Sequence, residues 1–277
     1  MYEYDELRIY RGRDIQINKN LIITQPTIDE VELFGEKIYF QSVHTLCSVG
    51  ADLKWQLWDM GIDYTQISDY ELFIKMIAPL VSSRKKLYQA LIENPEQYTQ
   101  EMDMIEDLDM LLVNPMKLLI KYTDDTEFDF ADFVSCTNQK NNELILYNPE
   151  KEITIDRLGY KQIVDIVRTI HGFKRNNQVP ANEQTKMDLI EDARDEAMIA
   201  SKKPFKSVLK PLVSSLLAKT GQLGSDAIWN TKINMFFDAV KRFTKIQDAE
   251  SLIQGAYSGF ANLKGVDKSR FDWTGDI

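Results

Sequence analysis

The chain has 277 residues, 44% hydrophobic and 27% charged, which is enough for two domains or for one domain with an appendage. Its formal net charge of −10 disfavours non-specific binding to nucleic acid or anionic membranes and favours a basic protein partner. Two cysteines, Cys47 and Cys136, define no disulfide framework and indicate a reducing setting. No apolar run approaches the roughly 18 residues of a membrane span, and no signal-peptide core is recognisable, so we expect a cytosolic protein.

The first 46 residues predict a β-hairpin followed by a helix. Alternation in LRIY and DIQIN, with NKN as a turn before LIIT, favours a hairpin over residues 6–24. Thr27 and Glu30 have the spacing of a capping box, which predicts a helix from residue 28 to about residue 46. Gly35 lies inside that helix and costs about 1 kcal/mol relative to alanine. We therefore expect a close packing neighbour at Gly35.

A helix predicted over residues 51–60 holds two of the four tryptophans. At 100° per residue, one apolar face contains Leu53, Leu57 and Met60. Trp55 and Trp58 lie on the opposite side of the same helix. A surface helix ordinarily has one apolar stripe, so two stripes imply burial on both sides or one side kept for a partner.

A helix stop and a helix start follow directly. Gly61 has the position of the left-handed residue in a Schellman stop. Ser68 and Glu71 have the spacing of a second capping box, which opens a helix reaching about residue 92. Pro79 predicts a kink or break within it.

The next segment changes from acidic to β-rich. Residues 93–115 carry no lysine or arginine, and Met104, Leu108 and Leu111 have the spacing of a helix stripe. After this run, the short alternating runs LLIKY, EFDF, ELILY and EITID are separated by polar turns. They predict a β-meander or two hairpins over residues 117–155.

The remainder predicts helices. Asp156 caps the first, Gly172 ends it, and its stripe contains Tyr160, Ile163, Val164, Val167 and Ile170. Further helices are predicted over residues 183–201, after Ser207, after Ser225 and over about residues 246–257. The helix after Ser207 has one broad apolar face, which contains Val208, Leu209, Leu212, Val213, Leu216 and Leu217. The fold class is therefore mainly α with a small β component (α+β). The predicted organisation is an N-terminal hairpin and helical domain (1–116), a β-meander insert (117–155) and a C-terminal helical domain with a tail (156–277).

Histidine and cysteine offer little catalytic material. His44 and Cys47 are three residues apart on one predicted helix, a spacing that permits a Cys–His pair or half a metal site. A core-facing helix favours a buried structural role for both. His171, next to Gly172, is predicted as a cationic cap on a helix C-terminus. Since zinc-ligand spacings, nucleotide-binding loops and nucleophile elbows are also missing, we predict no catalytic residue, metal or cofactor.

Three charged clusters remain. The segment Asp124–Asp132 offers calcium-type oxygens but lacks the order and the glycine of an EF-hand loop, so an exposed strand face is the alternative. The face from Asp188 to Asp195 would support a metal-dependent hydrolase only if a second acidic group met it in a pocket, and Arg194 favours an ordinary ion-paired face. A basic patch with one aromatic residue is typical of a nucleic-acid-binding surface, but the negative net charge of the chain disfavours that role. The patch contains Lys202, Lys203, Phe205, Lys206 and Lys210.

The segment QPTIDEVELFGEKIY, from Gln25 to Tyr39, resembles the opening of tail-morphogenesis proteins of phages that infect Gram-positive bacteria. In that family a short hairpin leads into a helix with the pattern Q-P-T-I/L-x-E-I/V-x-x-x-G-E-x-x-Y. The segments GADLKWQLWDMGIDYTQISDYELF, KMDLIEDARDE and YSGF…DWTGDI are similar to further parts of the family, so the resemblance spans most of the chain. The chain is longer than many such proteins, and the predicted insert over 117–155 is not part of the short pattern.

The resemblance implies a tail assembly chaperone in the host cytoplasm, which holds the tape-measure protein soluble and recruits tail-tube subunits. The alternative is a structural component of the tail or connector that stays in the virion. In both cases we expect no enzymatic activity and a tail protein as partner, and a homo-oligomer stays open. We predict Trp55 and Trp58 as the first contact residues and Phe271 and Trp273 as the second, with burial inside the monomer as the alternative for each.

Overall fold

The protein is described by a computed structural model covering residues 6–94, 96, 98, 107–138, 142–221, 224–259 and 264–275. It is mainly helical with two small antiparallel three-stranded sheets, which confirms the predicted fold class. The helices are α1 (Glu6–Tyr10), α2 (Ile28–Phe34), α3 (Glu36–Cys47), α4 (Lys54–Asp59), α5 (Asp69–Leu72), α6 (Ala78–Leu80), α7 (Lys85–Glu93), α8 (Arg157–His171), α9 (Glu183–Ser201), α10 (Leu209–Thr220) and α11 (Ile233–Tyr257). The strands are β1 (Ile15–Gln16), β2 (Leu21–Ile23), β3 (Ile120–Tyr122), β4 (Val134–Thr137), β5 (Leu144–Asn148) and β6 (Ile153–Ile155).

The hairpin is shorter than predicted, because LRIY forms α1 and only β1 and β2 pair. A strand would place Leu7 and Ile9 on the same face, but in α1 Ile9 is buried and Leu7 is exposed. Gly12 ends the helix with φ near +69°, and its N–H bonds to the Ile9 carbonyl. The buried Gln25 side chain also donates to that carbonyl at 2.8 Å, which ties α1 to the segment before α2.

The predicted helix over residues 28–46 is two helices. The capping box is confirmed, since the Thr27 hydroxyl accepts from the Glu30 N–H and the Glu30 carboxylate accepts from the Thr27 N–H. Gly35 divides α2 from α3 with φ near +105°, a conformation that a side chain disfavours. The expected close neighbour is wrong, because an added Cβ would make only an ordinary contact with Ile38 at 3.6 Å. Gly35 is needed for its backbone angle.

The stop after α4 and the start of α5 follow the prediction. Gly61 has φ near +72°, and the Ile62 N–H donates to the Leu57 carbonyl at 2.8 Å, as in a Schellman motif. The Ser68 hydroxyl accepts from the Glu71 N–H at 3.2 Å, which caps α5. The Glu71 carboxylate pairs with Lys75, so only half of the predicted capping box forms.

A single π turn, Phe73–Ile77, joins α5 to α6. Pro79 follows it, and in a regular α-helix its ring would crowd the Lys75 carbonyl. The wider turn relieves that crowding locally. The helix then breaks after α6, and α7 begins at Lys85, so the predicted break near Pro79 is confirmed.

The β segment is divided between two sheets. Strand β3, from LLIKY, pairs with β2 and completes the sheet β1-β2-β3, whereas β4, β5 and β6 form the second sheet. EFDF was predicted as a strand but leads into a 3₁₀ turn at Phe130–Asp132. Most of the predicted acidic helix over 93–115, including Met104, lies outside the described residues, and Leu108–Leu112 forms a 3₁₀ turn.

Helix α8 lies at the centre of the core. It contacts α3, α5, α11, β2 and β6, and every residue of its predicted stripe is buried. The Asp156 side chain accepts from the Gly159 N–H, and Gly172 ends the helix in the left-handed conformation, both as predicted. One hydrophobic cluster extends from Ile9 to Phe236 through all three predicted segments. The domain limits at residues 116 and 155 stay a prediction.

The C-terminal helices differ from expectation at α11, which begins at Ile233 and not directly after Ser225. Helices α9 and α10 begin where Asn182 and Ser207 predicted, and each side chain accepts a first-turn N–H. The two helices predicted after Ser225 and over 246–257 are one continuous helix, α11. In the described part of the chain, no helix has both the length and the apolarity needed to cross a membrane.

Candidate partner-binding surfaces

The predicted contact residues Trp55 and Trp58 lie on α4, which packs against α9. Trp55 is partly buried against the hydrophobic core, whereas Trp58 is 39% exposed. The Lys186 ammonium of α9 lies 5.8 Å from the centre of the Trp58 ring and donates to Asp63 at 2.6 Å. That hydrogen bond lowers the pKa of Asp63 and raises the pKa of Lys186. Part of Trp58 stays accessible, so its contact role stays a prediction.

The opposite apolar face of α4 is divided. Leu57 is fully buried, Leu53 is half-buried against the core, and Met60 is 59% exposed at the end of the helix. The face therefore anchors α4 through its first two members, while Met60 adds apolar surface beside the Gly61 turn.

Phe271 and Trp273 belong to a tail segment that lies along α11. The Arg242 guanidinium of α11 donates to the carbonyl oxygens of Trp273 and Gly275, each at 2.7 Å. Phe271 is half-buried, and half of the Trp273 side chain is exposed. These two aromatics are far along the chain from α4, and their contact role also stays a prediction.

His44 and Cys47 do not form a catalytic pair. The His44 ring stacks on Phe173 with ring centres 4.3 Å apart, and this partial covering of the ring lowers the pKa of the imidazole. Cys47 is buried, which raises the pKa of its thiol to about 12 and keeps it protonated and unreactive at neutral pH. The Cys47 carbonyl accepts from Arg168 at 2.6 Å. The expected structural role fits Cys47, whereas His44 is exposed rather than core-facing.

His171 is a buried neutral group, so the predicted cationic cap is wrong. Its Nδ1 lies 2.7 Å from the Val167 carbonyl oxygen, and its Nε2 lies 2.7 Å from the Tyr39 hydroxyl. Since a carbonyl only accepts, Nδ1 carries the proton and Nε2 accepts from Tyr39. Burial lowers the pKa of His171 to about 4, which leaves the ring uncharged at neutral pH.

The acidic residues of the Asp124–Asp132 segment have side-chain partners, and Lys85 is shared between Asp129 and Asp132. Asp124 pairs with Lys151 at 2.6 Å, which lowers the pKa of its carboxyl, and Glu127 accepts from Asn114. The buried Asp129 accepts from the N–H and hydroxyl of Ser83. Further ion pairs join Asp125 to Lys121 and Asp132 to Lys85.

The Asp188–Asp195 face does not assemble a metal site either. Arg194, on that face, pairs with Asp59 of α4, and Asp188 accepts from Gln184 one turn earlier. Within the described ranges, no group of three or more histidine, cysteine, aspartate or glutamate side chains has a metal-binding arrangement. The convergence that a metal-dependent hydrolase would need is therefore not seen among these residues.

A groove lies between α2 and α10, and hydrogen bonds at the start of α2 fix one of its walls. The first three amides of a helix have no partner inside it. In α2, the Ile28 N–H donates to the Thr231 carbonyl at 3.1 Å and the Asp29 N–H to the Trp229 carbonyl at 3.0 Å. Thr27 satisfies the third amide. The segment before α11 is therefore fixed across the start of α2 and places Trp229 beside Ile28.

Glu36 fixes the other wall. Its carboxylate accepts from the N–H groups of Val208 and Leu209 at 2.6 and 2.8 Å, so α3 supplies the N-terminal cap of α10 from 172 residues away in the chain. Negative charge at a helix N-terminus also complements the helix dipole. Helices α2 and α10 are consequently held side by side with a space between them.

That space, which we call the α2–α10 groove, has a volume of about 500 Å³. Its apolar floor is made by Ile28, Leu209, Val213, Leu217 and Trp229. A volume of this size and an apolar lining with few polar groups are typical of binding sites.

The rim of the groove carries opposite charges. Glu32 lies on the α2 side, and Lys210 lies on the α10 side with Ser207 and Ser214. Glu32 and Lys210 are exposed, and neither forms an ion pair with another described residue. Lys210 belongs to the predicted basic patch, whose lysines and Phe205 are exposed on the approach to α10.

Sequence reasoning identified the α10 stripe but not the groove. Trp229 was not singled out, and the Glu36 cap joins residues too distant in the chain for any local spacing to reveal. The one available signal was the breadth of the apolar α10 face, which is wider than a single packing surface needs.

Comparisons with known proteins add no relative: no family model, no curated protein and no solved structure matches this chain.

Proposed function

We propose that the protein is a non-enzymatic assembly factor of a phage tail, which binds an apolar segment of the tape-measure or tail-tube protein. The observation that carries the proposal is the α2–α10 groove, an apolar surface with unpaired rim charges. An open apolar groove on a folded chain is suited to covering an apolar segment of another protein.

Two sequence properties support the same role. The net charge of −10 keeps the factor soluble and attracts a basic partner. The resemblance to tail-morphogenesis proteins begins at Gln25, and the segment from Gln25 to Tyr39 contains the whole of α2 and the first turn of α3. The motif positions that carry the resemblance therefore include Ile28 and Glu36, which also line the groove.

The test is co-expression with each tail protein encoded beside it, followed by affinity capture and size-exclusion chromatography with light scattering. We expect a stable complex with the tape-measure or tube protein and more of that partner in the soluble fraction. Failure to form a complex with any tail protein would reject the assembly role. Ring-shaped homo-oligomers of this protein, formed without a tail partner, would instead support a role as a structural component of the tail.

The predicted aromatic contacts are tested in the same assay. Trp58→Ala removes a partly exposed ring, and Trp273→Ala removes the exposed ring of the tail. If these surfaces bind the partner, each variant recovers less of it while the chain itself stays soluble. Leu33→Ala is a matched control, because Leu33 is 76% exposed and is not a predicted contact. Equal recovery by all three variants would reject Trp58 and Trp273 as contacts.

A further inference from the structure

The floor of the α2–α10 groove has a helical repeat. Leu209, Val213 and Leu217 are each four residues apart and therefore form one line along α10. At 1.5 Å per residue this line is about 12 Å long, which corresponds to roughly two turns of a second helix. The groove is therefore matched in length to a short helix with apolar residues at i, i+3 or i+4, and i+7.

The rim determines what must flank those apolar residues. Glu32 follows Ile28 by four residues on α2, and Lys210 and Ser214 are four residues apart on α10. A ligand with a single charged group would pair with one of Glu32 and Lys210 and leave the other beside an apolar ligand. Removing a charge from water without pairing it is costly, so both charges favour an occupant that carries both signs.

We propose that the α2–α10 groove binds one amphipathic helix of a partner protein, with a basic residue facing Glu32 and an acidic residue facing Lys210. The identity of the partner as a tail protein rests on the proposed function, whereas the chemistry of the bound helix rests on the groove. Because the charged residues lie on opposite walls, they fix the direction in which the helix lies.

Glu36 holds the two walls together in this arrangement. Its carboxylate is already engaged by the first amides of α10, so it is a positioning residue and Glu32 is the acid that meets the partner. The groove can therefore receive the helix without uncovering the N-terminus of α10.

The test uses the full chain and an 18-residue fluorescein-labelled peptide with leucines at i, i+4 and i+7, lysines along one flank and glutamates along the other. A second peptide has the two flanks exchanged, and a third has the first composition scrambled. Fluorescence anisotropy measures each Kd. We expect the first peptide or its flank-exchanged form to bind at least tenfold more tightly than the scrambled one.

A matched pair of variants locates the binding. Ser214 is exposed and lines the groove, whereas Ser215 is exposed on the same helix and does not line it. Ser214→Trp fills the groove without removing a core side chain, and we expect it to weaken binding at least tenfold. Ser215→Trp should bind as the wild type does. Equal affinities in these two variants would overturn the proposal.

The charge assignment has its own test. Glu32→Lys and Lys210→Glu should each weaken binding of both peptides several-fold, and the double variant should restore it, because a helix can reverse its direction to pair with the exchanged walls. A double variant that binds no better than the single variants contradicts the two-sign occupant. If dodecanoate at the same concentration as the peptide displaces it, the groove prefers an amphiphile with a single charged group. If Ser214→Trp changes the oligomeric state of the protein, a second copy of the chain occupies the groove.

The same variants separate this proposal from the assembly role. If the co-expressed tail complex persists in Ser214→Trp, the groove is not its docking surface and the assembly role stands without it. If the peptide binds the groove but no tail protein forms a complex, the groove chemistry stands and the assembly role fails.

Discussion

Helix α8 was predicted as one helix and α11 as two, and the two observed helices contribute to the fold in different ways. Helix α8 has 15 residues and buries seven, whereas α11 has 25 residues and buries three. The shorter helix contacts elements from both sheets and from the N-terminal half, while the longer one mainly contacts α1, α8 and its own tail segment. Stability in helices comes mostly from packing an apolar face, so burial rather than length decides which helix the fold depends on.

The two helices also end differently. Helix α8 has an aspartate cap, a buried stripe and a left-handed glycine, and the structure begins and ends it at the predicted residues. Helix α11 has no proline and no glycine before Gly255, although its sequence becomes more polar after Phe243. A helix continues until a stop signal, so this polar stretch marks the point where α11 loses core contacts and not the point where it ends.

The largest expected difference between the two helices is in the unfolding free energy lost when one isoleucine in each is replaced by alanine. Ile163→Ala in α8 removes a side chain that is 1% exposed and should lower the free energy of unfolding by about 2–5 kcal/mol, because it leaves a cavity in the core. Ile253→Ala in α11 alters a side chain that is 42% exposed and should cost about 0.5 kcal/mol. Urea unfolding measures both; a comparable loss in Ile253→Ala would show that the end of α11 is as important as α8.

A smaller effect appears at the end of α8 as pH dependence. The pKa of His171 is lowered from 6.5 to about 4 in the folded chain, so between these values the unfolded chain binds a proton that the folded chain does not. The free energy of unfolding therefore falls as pH falls from 6.5, by about 1.4 kcal/mol per pH unit and about 3 kcal/mol in total. Urea unfolding at several pH values measures this slope.

Two variants assign that slope. His171→Gln should remove most of the pH dependence between pH 5 and 6.5, where few carboxyl groups titrate. His44→Gln changes the other histidine, whose pKa is lowered in the same direction, and should remove a smaller part of the slope because that ring is exposed. A slope that survives in His171→Gln and disappears in His44→Gln would contradict the assignment of the neutral buried ring to His171.

The smallest effect on stability concerns the tail along α11. Arg270 forms a two-pronged ion pair with Asp248, at 2.6 and 2.9 Å, and both side chains are exposed. Arg270→Ala should leave the urea midpoint unchanged, since exposed ion pairs add little to global stability. It should speed amide hydrogen exchange in residues 264–275, while Lys268→Ala on the same 3₁₀ turn should not. A shifted midpoint would place the tail in the cooperative core.

The capping signals were the most reliable part of the sequence. Thr27, Ser68, Asp156 and Asn182 each cap the helix that follows, because a cap is satisfied by amides two or three residues away. The alternating pattern of LRIY failed for the opposite reason. Alternation predicts a strand only if a partner strand is present, and α1 instead packs one side chain, Ile9, into the core.

The candidate contact surfaces show the same limit. Apolar spacing found both sides of α4, but it could not show that Lys186 of α9 would lie over Trp58. Apolar spacing likewise found the α10 stripe, but the groove exists because Glu36 and Trp229 bring three distant segments together. A side chain's accessibility depends on neighbours that local periodicity does not identify.

The sequence by itself determined the helical class, the starts of α2, α5, α8, α9 and α10, and the buried stripe of α8, since these depend on hydrogen bonds and apolar spacing within a few residues. Tertiary structure alone decided that β3 joins the first sheet, that His171 is neutral and that a groove lies between α2 and α10. Each of these results depends on a partner more than 90 residues away: β2 for β3, Tyr39 for His171 and Glu36 for α10. Such contacts arise only when the chain packs, because pairing, burial and capping at a distance have no signature in local spacing.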